Sequence, residues 1–275
     1  MPLKVVDLNY IYNEGTTLES YAVKGVNFEI NKGEFVGIIG RTGSGKSTLI
    51  QQLNGLLKPT RGKIYFDGMD IHEKGFSLKD LRQKVGLVFQ YPEYQLFEET
   101  VLQDVMYGPK NQGLTADEAR DRAVTALKLT GLDNPDIHKK SPFELSGGQK
   151  RRVAIAGVIA MQPDYLILDE PTAGLDPQGR DEIFELIENM RRETGMASIL
   201  VSHSMEDVAR YVERLLVLDH GSLVYDASPR EVFSHAEDLE AIGLSAPQAV
   251  YIAQALGLEG NLITVDEVFE KLTQK

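Results

Sequence analysis

The chain has 275 residues, 42% apolar and 25% charged, enough for one large domain or two small ones around a substantial core. No run approaches the roughly 18 consecutive apolar residues of a membrane-spanning helix, and with no cysteine there is no disulfide, thiolate metal site or cysteine nucleophile. A formal net charge of −12 argues against a nucleic-acid partner, whose phosphates demand a basic footprint; the one compact basic cluster, Lys150-Arg151-Arg152, does not make a groove.

In chain order, alternating Val6, Leu8, Tyr10 and Tyr12 predict a first strand, with Asp7 and Asn9 standing where a signal peptide needs an unbroken apolar stretch. A second apolar stretch over 23–30 leads into a turn at 31–33, and 34–40 reads as a short buried strand. A helix is expected over 45–57, and strands over 63–66 and 85–89. Thr115 and Glu118 form a capping box that opens a helix through Leu129, and strand signals then stop until Tyr165. Strand–helix alternation resumes with a strand over 165–168, a helix capped by Asp176 and started by Pro177, a strand over 198–201, a helix over 205–211, and strands over 215–218 and 223–225. The last 45 or so residues read as a helical tail, with a capping box at Thr264–Glu267 and another short helix starting at Ser245-Ala246-Pro247. The alternation reads as an α/β core interrupted by a helical insert at about 90–160.

Gly40-Arg41-Thr42-Gly43-Ser44-Gly45-Lys46-Ser47 matches the phosphate-loop pattern between a strand and a helix, with Thr48 following. Its glycines let backbone N–H groups turn toward phosphate oxygens, and the helix N-terminus adds a favourable dipole. Lys46 is expected on the β- and γ-phosphates of ATP, and Ser47 on Mg²⁺. The strand over 165–168 ends in Asp169 and Glu170, whose side chains leave the strand in different directions. Asp169 suits the metal; Glu170 suits the attacking water, because positioning and charge stabilisation dominate phosphoryl transfer. Leu145-Ser146-Gly147-Gly148-Gln149 precedes a helix expected to start near Lys150, and serine before two glycines there offers a second anion-binding nest.

That pentapeptide resembles the signature motif of ATP-binding cassette (ABC) proteins. The resemblance covers about residues 3–230. It implies a RecA-like phosphate-loop core with an antiparallel β subdomain, a helical insert, and a head-to-tail dimer. In that dimer Ser146, Gly147, Gly148 and Gln149 of one subunit close over nucleotide held by the other. Matched position by position, Gln90 resembles the Q-loop glutamine that senses Mg²⁺, Asp176 the D-loop aspartate, and His203 the histidine that contacts the γ-phosphate. Tyr12 resembles the aromatic that stacks on adenine, but Tyr10 lies on the same face by period 2, so spacing does not choose between them.

Gln90-Tyr91-Pro92-Glu93-Tyr94-Gln95-Leu96-Phe97 is similar to a segment of energy-coupling factor (ECF) transporter ATPases, in the version of the second ATPase of heterodimeric modules. The residues from Ala227 through Pro247 resemble that family's C-terminal extension. The resemblance implies an ABC ATPase domain over 1–229 and a dimerising extension over 230–275. It also implies a second ATPase subunit, a transmembrane T subunit docking near residues 90–97, a substrate-binding membrane S subunit, and a place on the cytoplasmic face of the cell membrane. The ATPase of another transporter class is the nearest alternative. A non-transport ABC protein of DNA repair or translation wants two cassettes, a long coiled-coil insert or a basic surface, and this chain has one cassette, a compact insert and negative charge.

Overall fold

A computed structural model describes residues 2–273. One unit holds the chain up to Phe76 and from Ile199 onward, the other Ser77–Ser198.

The first unit opens with β1 (Leu3–Tyr12), β2 (Ser20–Ile30), β3 (Phe35–Ile39), α1 (Lys46–Leu53), β4 (Arg61–Phe66) and β5 (Met69–Asp70). β2, β1, β4 and β5 form an antiparallel sheet in that order, the expected β subdomain. Simple alternation fails in β1: Leu3, Val5, Leu8 and Ile11 are buried, while Val6 and Tyr12 are exposed. The register with β2 slips three times between Val5 and Ile11. Asp7 takes φ 45° at the first slip, its N–H donating to the Asn27 side chain at 2.8 Å. Each such irregularity changes which face the following side chains occupy, so period 2 holds only in pieces.

β3 is buried at all five positions, and packing is close around Gly37 at its centre: a Cβ there would come 2.9 Å from Leu215 Cδ1, so the side chain would have to shift. α1 stops at Leu53 instead of reaching residue 57. Gly55 enters the left-handed region at φ 69°, and the N–H groups of Leu56 and Leu57 both turn back to the Gln51 carbonyl, at 2.8 and 3.1 Å. That closure satisfies a helix end in the way glycine makes possible.

The second unit contains α2 (Leu78–Lys84), β6 (Val85–Val88), α3 (Val101–Asn111), α4 (Ala116–Leu129), α5 (Pro135–His138), α6 (Gly147–Ile159), β7 (Tyr165–Asp169) and α7 (Pro177–Thr194). β6 and β7 pair in parallel, Val85 opposite Tyr165 through Val88 opposite Leu168. α4 opens on the expected box, with the Thr115 and Glu118 side chains each bound to the other's backbone. α7 starts at Pro177 behind Asp176, whose carboxylate accepts the Gly179 N–H at 2.7 Å. α6 departs from expectation: it starts at Gly147, not near Lys150, because Ser146 is the N-cap and Gln149 closes a capping box three residues on.

The unit boundary falls within β8 (Ala197–Val201), after which come α8 (Met205–Tyr211), β9 (Arg214–Asp219), β10 (Ser222–Ala227), α9 (Pro229–Ser234), α10 (Ala236–Ala241), α11 (Gln248–Ala255) and α12 (Val265–Thr273). β9 runs parallel to β3 and antiparallel to β10. α11 begins at Gln248 behind Pro247, three residues later than expected, and the Tyr251 hydroxyl takes the Ala246 N–H at 3.0 Å in place of a side-chain cap. α12 opens on the expected Thr264–Glu267 box. Ala249, Ala253 and Val268 join α11 to α12 in a small core. Arg230 of α9 binds the Glu267 carboxylate at 2.6 Å and the Asn261 carbonyl.

Candidate functional site

The loop between β3 and α1 is built by close approach. A Cβ on Gly45, at φ 102°, would lie 2.1 Å from the Ala22 carbonyl oxygen, and one on Gly40 would lie 2.3 Å from that of Leu218. Gly43, at φ 82°, supplies a left-handed turn between exposed Thr42 and buried Ser44. Lys46 is only 6% exposed; its Nζ donates to the carbonyls of Gly40 at 2.6 Å and Arg41 at 3.1 Å. Ser47 is exposed in the first turn of α1, beside Thr48, whose hydroxyl meets that of Tyr12 at 3.1 Å. The Tyr12 and Tyr10 rings touch edge to face, centroids 4.8 Å apart, and Tyr12 is the one that reaches the loop helix. His203 is exposed in the bend between β8 and α8; the neighbouring Ser202 N–H donates to the Ile38 carbonyl of β3 at 3.4 Å.

In the second unit Glu170 follows β7 in the left-handed region, φ 49°, which a non-glycine residue holds only when its surroundings over-determine it. The amide nitrogen of Gln90 donates to its carboxylate, Nε2 to Oε2 2.8 Å. Tyr91, next to Gln90, is also left-handed at φ 54°. Asp169, the last residue of β7, is half-buried. Ser47, Gln90 and Asp169 offer oxygen donors, the chemistry Mg²⁺ prefers. Each is an oxygen that Mg²⁺ takes together with nucleotide phosphates and water, and among the described residues no group of three His, Asp or Glu forms a metal cage.

Ser146, Gly147 and Gly148 are exposed, and their geometry is that of a helix start. The two glycines have no positive φ, so they form no left-handed nest, and a Cβ on either would meet nothing within 4 Å. Neither conformation nor packing within the chain calls for glycine at these positions. What remains for an anion is the helix start itself, the first turn of α6, where the Gln149 N–H is already taken by Ser146 Oγ at 3.3 Å.

One feature lay outside the sequence reading, the burial of Arg151, and a second gives form to the segment after Gln90. Arg151, read as part of a small basic cluster, is 2% exposed and binds Glu93 through two hydrogen bonds. Residues 95–97 border a cavity of about 480 Å³ lined also by Tyr107, Gly108 and Met161. Phe97 is exposed there, stacked edge-on against Tyr107 at 4.9 Å, and its N–H and that of Glu98 both donate to Asp104 at 2.9 Å. The signal for Arg151 was present but local pattern could not read it: its partner stands 58 residues away.

A strand–glycine loop–helix with a buried lysine, and a strand ending in two carboxylates, define a phosphate-loop nucleotide hydrolase. The model of the ABC transporter family matches residues 23–173. The energy-coupling factor transporter ATP-binding protein EcfA2 of Caldanaerobacter subterraneus subsp. tengcongensis is 54% identical over 277 residues, covering 99% of this chain and 96% of that protein. Its namesake from Clostridium perfringens is 54% identical over 269 residues, covering 98% and 94%. Among solved structures, cbiO1 from Clostridium perfringens, part of the ABC transporter complex cbiONQ, aligns with TM-score 0.78 at 42% identity, over 93% of this chain and 98% of that one. The ATP-binding cassette MJ0796, solved as a dimer in a post-hydrolysis state with ADP and Pi, aligns with TM-score 0.72 at 34% identity, over 83% and 99%. The chain belongs to the ABC transporter family and, within it, to the ATP-binding proteins of energy-coupling factor transporters.

Proposed function

We propose that the chain binds and hydrolyses ATP to energise an ECF-type importer of vitamins or other micronutrients, working at the cytoplasmic face of the membrane in a head-to-tail pair with a second ABC ATPase. The observation that carries the pairing is the exposed signature turn: two consecutive glycines with open space around them suit close approach by a phosphate chain from outside the subunit. The dimeric state of the MJ0796 cassette supports the same reading.

In this mechanism Lys46 exchanges the carbonyls of Gly40 and Arg41 for the β- and γ-phosphate oxygens, a charge-assisted contact stronger than the one it leaves. The backbone of residues 40–47 and the start of α1 surround the phosphates, and Tyr12, beside Thr48, stacks on the adenine. Mg²⁺, when bound with the nucleotide, neutralises charge developing on the phosphate oxygens; Ser47, Asp169 and Gln90 are the residues that would hold it. Glu170 orients the attacking water, and His203 contacts the γ-phosphate. The Gln90–Glu170 hydrogen bond engages the carboxylate that must turn to water, so freeing it belongs to activation. Ser146 through Gln149 close over the partner's nucleotide, and Asp176 faces the same interface.

The exposed Phe97 and the apolar cavity beside it suit a helix of the transmembrane T subunit, and residues 230–275 hold the two ATPases together. Substrate choice rests with a separate membrane S protein. Extraction of the tagged chain from membranes followed by mass spectrometry tests this: a second ATPase, a T subunit and an S protein are expected. A monomer with no membrane partner, or retained nucleic acid, would contradict it.

A further inference from the structure

We infer that Arg151 is a positioning residue for ATP hydrolysis, one guanidinium that sets the backbone on both sides of the Gln90–Glu170 contact. The inference rests on the role proposed for Glu170 and deepens it. Arg151 lies in the second turn of α6, directly behind the signature, and is almost fully buried. Its Nε and Nη2 donate to the two carboxylate oxygens of Glu93, at 3.1 and 2.8 Å. Its Nη1 donates to the carbonyls of Pro171 at 3.1 Å and Ala173 at 2.9 Å. Glu93 stands three residues after Gln90; Pro171 stands one residue after Glu170.

Both stretches held in this way are strained. Tyr91, between Gln90 and Glu93, has φ 54°, and Glu170 has φ 49°. The Glu170 carbonyl accepts the Ala173 N–H at 3.1 Å, closing the turn in which Arg151 holds the Pro171 and Ala173 carbonyls. Left-handed non-glycine residues persist where the surroundings fix them, and here the fixing group is shared. The planar fork of arginine spans a carboxylate and two carbonyls at once; a lysine ammonium is a single point and cannot. A buried ion pair is also a poor device for stability alone, since apolar residues of similar volume often serve as well. Its use here is geometric: it keeps the carboxylate of Glu170 and the amide of Gln90 at 2.8 Å.

The test uses the assembled transporter and measures kcat and KM for ATP, with the melting temperature of each variant alongside. Arg151→Gln and Arg151→Lys are each expected to lower kcat by about tenfold or more while KM for ATP stays within about twofold, the mark of geometry lost in the transition state and not of binding. Glu93→Gln is expected to do the same, and the double variant Glu93→Gln/Arg151→Gln to be no worse than Arg151→Gln alone, because the two act as one unit. A folded Arg151→Gln with wild-type kcat, a change confined to KM, or full additivity in the double variant overturns the inference. If Arg151→Gln does not fold, Glu93→Gln, which keeps the guanidinium in place, decides alone, and unchanged kcat there overturns it. Glu170→Gln separates this from the parent reading: turnover surviving in Glu170→Gln removes both, whereas turnover lost in Glu170→Gln but normal in the Arg151 and Glu93 variants removes only the role of Arg151.

Discussion

Lys46 is a buried ammonium turned onto carbonyls of its own loop, 2.6 Å from that of Gly40, and the same loop holds backbone N–H groups at the start of α1. A cation poised this way is what a phosphate chain displaces. Lys46→Ala is expected to weaken ATP affinity about tenfold or more, since hydrogen bonds to charged groups contribute about 1.5–3 kcal/mol; a nucleotide titration with unchanged affinity would contradict the assignment. Gly45→Ala puts a Cβ 2.1 Å from the Ala22 carbonyl at φ 102°. It is expected to cost about 1–3 kcal/mol of stability and to deform the loop, read as a lowered melting temperature together with lost ATP binding. These residues were legible because the phosphate loop is a contiguous pattern, even though the carbonyls that demand Gly40 and Gly45, those of Leu218 and Ala22, are distant in sequence. Arg151 was not. Its role depends on Glu93 and on Pro171 and Ala173, which only the fold brings to α6.

At the scale of elements, caps were the most readable signals. Thr115 with Glu118, Asp176, and Thr264 with Glu267 all close helix starts where the residue types predicted them, because a cap is decided within four residues. Three misreadings have equally local causes. Serine before two glycines reads as a nest ahead of a helix starting near Lys150, although Ser146 and Gln149 make the glycines its first turn. The end of α1 was overrun past Gly55, and alternation in β1 was carried through bulges that sequence periodicity does not reveal. The docking of α12 carries a testable pH dependence. Burial pushes the Glu267 carboxyl up, but the Arg230 guanidinium and the N–H groups of Ile263 and Thr264 outweigh it and hold the group below the usual carboxylate value. A group lowered in the folded state stabilises it above the unfolded value, and that contribution is lost as pH falls through the folded value. Hydrogen exchange in α12 is therefore expected to quicken on acidification and to lose that response in Glu267→Gln; an identical acid response in that variant would contradict the linkage.

At the scale of the molecule, the antiparallel sheet, the buried β3 and the parallel β6–β7 pair are the parts of an ATP-binding cassette, and the likeness to EcfA2 proteins extends over nearly the whole chain. The net charge of −12 and the exposed Phe97 beside its cavity suit assembly with protein in place of nucleic acid. The role proposed for Glu170 is to drive hydrolysis of a nucleotide closed between two subunits. The most direct measurement takes Glu170→Gln with ATP and Mg²⁺ and follows turnover, ATP binding and mass in solution together. The expected result is bound ATP, turnover reduced to background, and a stable species of two ATPase subunits. Hydrolysis at the wild-type rate, or ATP-saturated protein that remains a single subunit, would contradict it.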